Sequence, residues 1–231
     1  MSATTTTLAE GAAASPGFTA HRADDVADQA DSITGWEQQY VQLSTGAFQG
    51  RLDEVRHTTL QVFHEYTSQA TYQSCQPWHD SIWFGLSSTG DDGALRFNGK
   101  AVAAHTLLFS PARSDFTLCT PPDFGIYGMV VNLNQLARRC ATLLGSELPV
   151  LWRQPGAVEL APACSQRLRA ALNGLLATAR ARPDLLAQPH LIDALADEIL
   201  LSLYQGSRDG VALKPASRTA RRTNTGTISR R

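Results

Sequence analysis

The sequence predicts an α+β fold in which the strands come first and the helices after. An antiparallel β-barrel or sandwich is followed by about three helices. Three observations carry this reading. Between residues 38 and 132, short runs alternate apolar and polar residues with a period of two. Gly-containing turns separate the runs, at Thr89-Gly90, Asp92-Gly93 and Asn98-Gly99, and no crossover helix interrupts them, which argues against a parallel sheet. From Asn132 onward the apolar spacing changes to that of a helix, so strands and helices are segregated along the chain.

Taken in order, residues 1–33 are Ala, Thr, Ser, Gly and Asp with few large apolar groups. Such a segment is expected to stay disordered, because it buries too little surface to offset its conformational entropy. A loose helical turn is expected at most, near "DDVADQA". The folded region is then expected to start at residue 34. Phe48, Gly50 and Leu52 alternate with Gln49, Arg51 and Asp53; Val55 has the opposite parity, which suggests a bulge near Asp53 or Glu54. Leu60, Val62, His64 and Tyr66 share one strand face, opposite Gln61, Phe63 and Glu65. Ile82, Phe84 and Leu86 form another face, and Trp83, of opposite parity, is expected under a helix. Leu95 and Phe97 lead into Asn98-Gly99, the strongest short-range hairpin signal in the chain. Leu107 and Phe109, then Phe116 and Leu118, mark two more strands. "FGIYGMVVN" (Phe124 to Asn132) is apolar on both faces, as a central strand should be.

Leu136, Cys140, Leu143 and Leu144 fit a first helix closed by Gly145. Leu168, Leu172, Leu175, Leu176 and Ala179 fit a second, stopped before Pro183. Ile192, Leu195, Ile199 and Leu203 fit a third, with Gly206 just past its end. Leucine stripes of this kind serve either as a dimer seam or as packing against the strands. Residues 207–231 carry seven Arg or Lys and one Asp with few large apolar groups, and read as an unpacked basic tail.

Composition narrows the functional classes. With 20 Lys and Arg against 21 Asp and Glu, bulk charge advertises neither nucleic acid nor membrane as a partner. No secretory leader pattern opens the chain and no apolar run approaches the about 20 residues of a membrane span, so a cytoplasmic location is expected. The four cysteines, Cys75, Cys119, Cys140 and Cys164, form no CxxC pair and read as reduced thiols. His57, His64, His79 and His105 include no His-x-His, and adjacent His64 and Glu65 point to opposite faces of a strand, so no metal site is expected. Gly-x-Ser-x-Gly, the P-loop and G-x-G-x-x-G are all missing, so no catalytic residue, no cofactor and no enzymatic activity are assigned. Cys75 beside His79 reads as chance proximity in a loop.

The pattern Trp36-x-Gln38-x-Tyr40-x-x-Leu43-x-x-Gly46-x-Phe48-x-Gly50, followed by "LQVFHEYTSQATYQS", resembles the N-terminal regulatory domain of AraC-type transcriptional regulators. "FNGKAV" and "LLFSPARSDF" look like the later hairpin and strand-loop of that domain, and the resemblance covers about residues 34–206. It implies a cupin-like, AraC-binding-like barrel over 34–132 in which the Ser44-Thr45-Gly46 turn reverses the chain between antiparallel strands. It also implies a helical dimerisation part over 133–206. The function implied is sensing of a small-molecule effector and homodimerisation. Relatives continue into two helix-turn-helix motifs; "ASRTARRTNTGTISRR" lacks the apolar faces such motifs need, so DNA is expected to be reached only indirectly or through a missing domain.

A small barrel can hold one small ligand. The candidate ligand contacts are His64 and Tyr66, on the parity of Leu60 and Val62, with Phe84 and Tyr127. The candidate dimer seam is Leu168, Leu172 and Leu175 with Leu195 and Ile199. Two other readings stay open: a small metal-dependent cupin enzyme, and a ligand-free structural dimerisation domain.

Overall fold

The computed structural model describes residues 17–206, except 59, 90–93, 189–193, 195–196 and 198–199, together with the backbone of 211–212. Two antiparallel sheets face each other. The large sheet has the order β1-β3-β4-β11-β6-β9-β12-β13. Its strands are β1 (Gly17–Ala23), β3 (Gly50–Arg56), β4 (Leu60–Thr67), β6 (Ser81–Ser87), β9 (Thr106–Pro111), β11 (Phe124–Asn132), β12 (Gly156–Glu159) and β13 (Val211–Ala212). The small sheet, in the order β2-β5-β10-β7-β8, comprises β2 (Glu37–Gln42), β5 (Thr71–Gln76), β10 (Phe116–Thr120), β7 (Arg96–Phe97) and β8 (Lys100–Ala101). Every strand pair is antiparallel, and the α+β class expected from the sequence is the one observed.

The large sheet is buried on both faces, and this organises the molecule. One face meets the small sheet, with Leu52, Phe63, Trp83, Ile126 and Val130 packing against Tyr40, Phe97, Phe116 and Leu118. The other face, with Val55, Val62, Phe84, Leu86 and Met129, is covered by helices. These are α2 (Leu133–Leu144), α3 (Pro162–Ala181) and the helical residues 200–206 (α4). The Asn132 side chain caps α2 by accepting from the N–H groups of Asn134 (3.1 Å) and Gln135 (3.2 Å), and Gly145 ends it at φ 60°. Pro162 opens α3, which lies across β1, β3 and β4. Asn98 (φ 48°) and Gly99 (φ 75°) form the two-residue turn of the β7–β8 hairpin, as their sequence predicts.

Several expectations need correction. The segment expected to be disordered up to residue 33 contains β1, paired with β3 from Gly17↔Arg56 to Ala23↔Gly50, and a short helix α1 (Val26–Ala30). Asp25 caps α1 by accepting from the Ala27 N–H at 2.7 Å. Composition misled here because β1 has Phe18 as its one large apolar residue, packed against the helix-side core, and is otherwise held by ladder hydrogen bonds to β3. The folded region thus starts by residue 17, not 34; residues 1–16 lie outside those described. No bulge interrupts β3: its register with β4 runs unbroken from Gly50↔Thr67 to Arg56↔Gln61. Val55 has the other parity because it packs under the helices while Leu52 faces the small sheet. The Ser44-Thr45-Gly46 turn does not join paired strands, for β2 pairs with β5 and β3 with β1 and β4; it carries the chain from one sheet to the other. The stretch 133–206 is not purely helical, since β12 returns to pair with β9, and the tail expected to stay unpacked supplies β13, which pairs with β12 at Val158↔Ala212 and Glu159↔Val211. Gly206 is itself a helical residue of α4 rather than the first beyond it.

Candidate functional site

The space between the sheets holds the most unusual chemistry among the described residues. Strand alternation delivers Glu54 from β3, and Gln61 and Glu65 from β4, into the same interior as Phe63 and Trp83. From the small sheet come Gln38 and Tyr40 of β2 and Gln73 and Cys75 of β5. Two buried carboxylates and several glutamines inside a core of this kind require partners, because an unpaired polar group away from water is costly.

Glu65, 3 % exposed, has them. Its Oε1 accepts from the Gln29 amide of α1 at 2.8 Å and from the Tyr40 hydroxyl at 3.0 Å; the same hydroxyl lies 3.2 Å from Oε2. Burial pushes the Glu65 carboxyl up to about 7, and the hydrogen bonds from Gln29 and Tyr40 pull the other way. Burial, then the Glu65 charge, raises both the Tyr40 hydroxyl and the Cys75 thiol well above their ordinary ranges. Glu54 forms a second centre, accepting from the Gln61 amide at 2.6 Å and the Thr34 hydroxyl at 2.9 Å. Gln61 in turn accepts from the indole N–H groups of Trp36 (2.9 Å) and Trp78 (3.1 Å). Aromatic rings make the walls: Trp83 stacks on Phe116 with centroids 4.3 Å apart, and Trp36 stands edge-on to Phe63, Trp83 and Phe116.

The remaining cavity is about 10 Å³, no more than a water's space. Two fully buried polar atoms of this region nonetheless have no partner: Gln29 Oε1 and Trp83 Nε1. The α1 segment therefore plugs the interior incompletely, leaving one donor and one acceptor unanswered.

The four residues singled out from sequence do not line this space. His64, Tyr66, Phe84 and Tyr127 have the parity of Val62, and that face turns toward the helices or the rim, not the small sheet. His64 stacks on Tyr127 with centroids 4.6 Å apart, and burial lowers its pKa. Tyr66 sits at the rim, donating to Asp123 at 2.8 Å. Phe84 meets the edge of Trp152, and the Tyr127 hydroxyl donates to Asn173 of α3 at 3.4 Å. Phe84 and Tyr127 share a cavity, another of about 10 Å³, beneath Leu168, Leu172 and Leu203. Trp83, expected under a helix, is inside. Parity was read correctly, but parity alone cannot say which face of a doubly covered sheet is the interior. Sequence reasoning missed Gln29, Tyr40, Glu54, Gln61 and Glu65. The available signal was the pair of polar residues, Gln61 and Glu65, flanking Phe63 on one face of β4.

In the candidate seam, Leu168, Leu172 and Leu175 are 1 %, 5 % and 4 % exposed and pack onto the large sheet within the chain. Leu195 and Ile199 lie outside the described residues. Among the described residues, no three of His, Cys, Asp and Glu gather as metal ligands would, and no helix is long and apolar enough to cross a membrane.

Two facing antiparallel sheets with a helical layer define the class of fold. The chain is similar in structure to the AraC-like transcriptional activator CuxR, with a TM-score of 0.54 and 12 % identity over 87 % of this chain and 73 % of that one. At this identity the likeness is one of fold. No family model matches the sequence.

Proposed function

We propose that this chain is the effector-sensing and dimerising module of a transcription regulator of the AraC type. The single observation that carries the reading is the polar interior between the sheets, where Gln29 of α1 bonds Glu65 beside the apolar contacts of Val26 and Ala30, and where an orphan donor and an orphan acceptor remain. A core that served stability alone would do better with apolar residues at these positions. The shared fold with an AraC-like activator supports the same reading. An effector entering between the sheets displaces Gln29 and so shifts α1 and β1. It acts through its differential affinity for the open and closed arrangements. Dimerisation uses surface that α2–α4 leave exposed, and contact with DNA belongs to a partner domain.

A second reading has one observation in its favour. The interior is almost filled, as in a structural dimerisation domain that binds no effector. Thermal unfolding in the presence of small acids, sugars, amines and aromatics separates the two. A ligand of the native state raises Tm by mass action, and the sensor reading predicts at least one such hit. Uniformly unchanged Tm values would leave the structural reading standing. Light scattering on the eluting peak of a sizing column tests the dimer directly.

A further inference from the structure

We propose that the pocket at Glu65 takes a small planar cation of the amidinium or guanidinium class, which enters in place of the Gln29 carboxamide. This rests on the effector-sensing reading above and specifies the chemistry of its ligand. The geometry of the carboxylate comes first. Oε1 receives both Gln29 and Tyr40, whereas Oε2 has only the longer contact of the shared Tyr40 hydroxyl. A carboxylate accepts at about four lone-pair positions, so Glu65 retains capacity on the side of Oε2. A planar fork with two N–H donors matches two carboxylate oxygens, as a single amide donor cannot.

The present occupant is also the wrong group in one half. The Gln29 carboxamide offers Glu65 one donor, but its own Oε1 is buried without a partner. Exchanging that C=O for a second N–H₂ gives an amidinium, which removes the orphan acceptor and, turned toward Glu65, can offer its second donor to Oε2. Gly50 shows how closely this side chain is threaded: a Cβ there would overlap the Gln29 amide. Charge and walls agree with the assignment. The rings of Trp36, Phe63 and Trp83 line the pocket, and delocalised planar cations favour aromatic faces. Among the described residues, no Lys or Arg side chain lines it, so an anion would meet Glu65 uncompensated. Trp83, whose buried N–H has no partner, is one of the residues lining the pocket.

Binding of the cation ionises Glu65, so affinity rises with pH through about 7. The titratable groups facing Glu65 are Tyr40 from β2 and Cys75 from β5, both raised by burial and neutral over that range. Gln29, Gln38 and Gln73 do not titrate.

The test uses the full chain and three probes of one shape: acetamidinium, neutral acetamide and anionic acetate. Each is titrated at pH 8 against the fluorescence of the pocket tryptophans, with sodium chloride matching the ionic strength. Acetamidinium is expected to saturate, with the other two at least about tenfold weaker. Gln29→Ala unplugs the site and tightens acetamidinium by roughly tenfold; Glu65→Gln, of the same shape, weakens it at least as much, with circular dichroism checking that both variants fold. Equal binding of acetamide or acetate overturns the cationic class but leaves a ligand-binding interior. Undiminished binding to Glu65→Gln overturns the site. If no probe saturates on either wild type or Gln29→Ala, the proposal falls. If the thermal screen has a hit elsewhere, it falls alone; if that screen is empty too, the effector reading falls with it.

Discussion

Glu65 is a carboxylic acid held in the core by one amide and one phenol, and its ionisation state is coupled to folding. Its folded pKa of about 7 lies above its ordinary 4.5, so the folded chain holds this proton more tightly than the unfolded chain does. The contribution to stability is therefore complete below about pH 4.5 and is lost as pH rises through about 7, by roughly 3 kcal/mol at most. Glu65→Gln keeps the shape and removes the titration. Urea unfolding from pH 5 to 8 should show wild type losing stability relative to the variant; parallel profiles would show that Glu65 is not the buried acid. At this scale the sequence displayed Glu65 on the parity of Gln61 and Phe63, yet nothing local marked that parity as the interior. The same ambiguity moved His64 and Tyr127 to the helix-covered face, where they stack on each other.

Elements of the large sheet are tuned by glycines that admit rings. A Cβ at Gly128 of β11 would run into the Phe63 ring of β4, and one at Gly85 of β6 into the Trp83 ring. Gly128→Ala should therefore cost about 1–3 kcal/mol by overpacking, measured by chemical denaturation. Adding Phe63→Leu should recover part of that loss, because the two sites share one volume. Asn132→Ala removes the α2 cap and should cost about 1 kcal/mol. Central strands, the Asn98-Gly99 hairpin and the α3 face were legible because period and turn chemistry are local properties. β1 and β12 were not: β12 has only four residues, β1 lacks a clear apolar alternation, and both take stability from the neighbour they pair with. The absent bulge in β3 has the same origin. A parity change signals a bulge only when one face is polar, and here both are covered.

At the scale of the molecule, the large sheet is the middle layer of three, with the small sheet on one side and helices on the other. The N-terminal segment completes it twice, by pairing β1 with β3 and by sending Gln29 to Glu65. Deleting residues 1–33 should lower Tm by more than about 5 °C and expose the Glu65 interior, seen as a red shift of tryptophan emission. Unchanged Tm would return this segment to the status of a passive tail. The leucines of α3 are occupied within the chain, so substituting Leu172 by Ala should cost about 2–5 kcal/mol of stability, whatever its effect on association.

By itself the sequence determined the class of fold, the central strands, the helices α2 and α3 and the parity of the residues on the central strands, since these follow from periodicities of two and 3.6 along a few neighbouring positions. Tertiary structure alone decided that Glu65 and Tyr40 meet Gln29, that Trp83 rather than Phe84 is inside, and that residues 17–33 belong to the fold. Those outcomes depend on which layer covers which face of the large sheet. That choice is made by contacts between segments far apart in the chain, and no short stretch of residues records it.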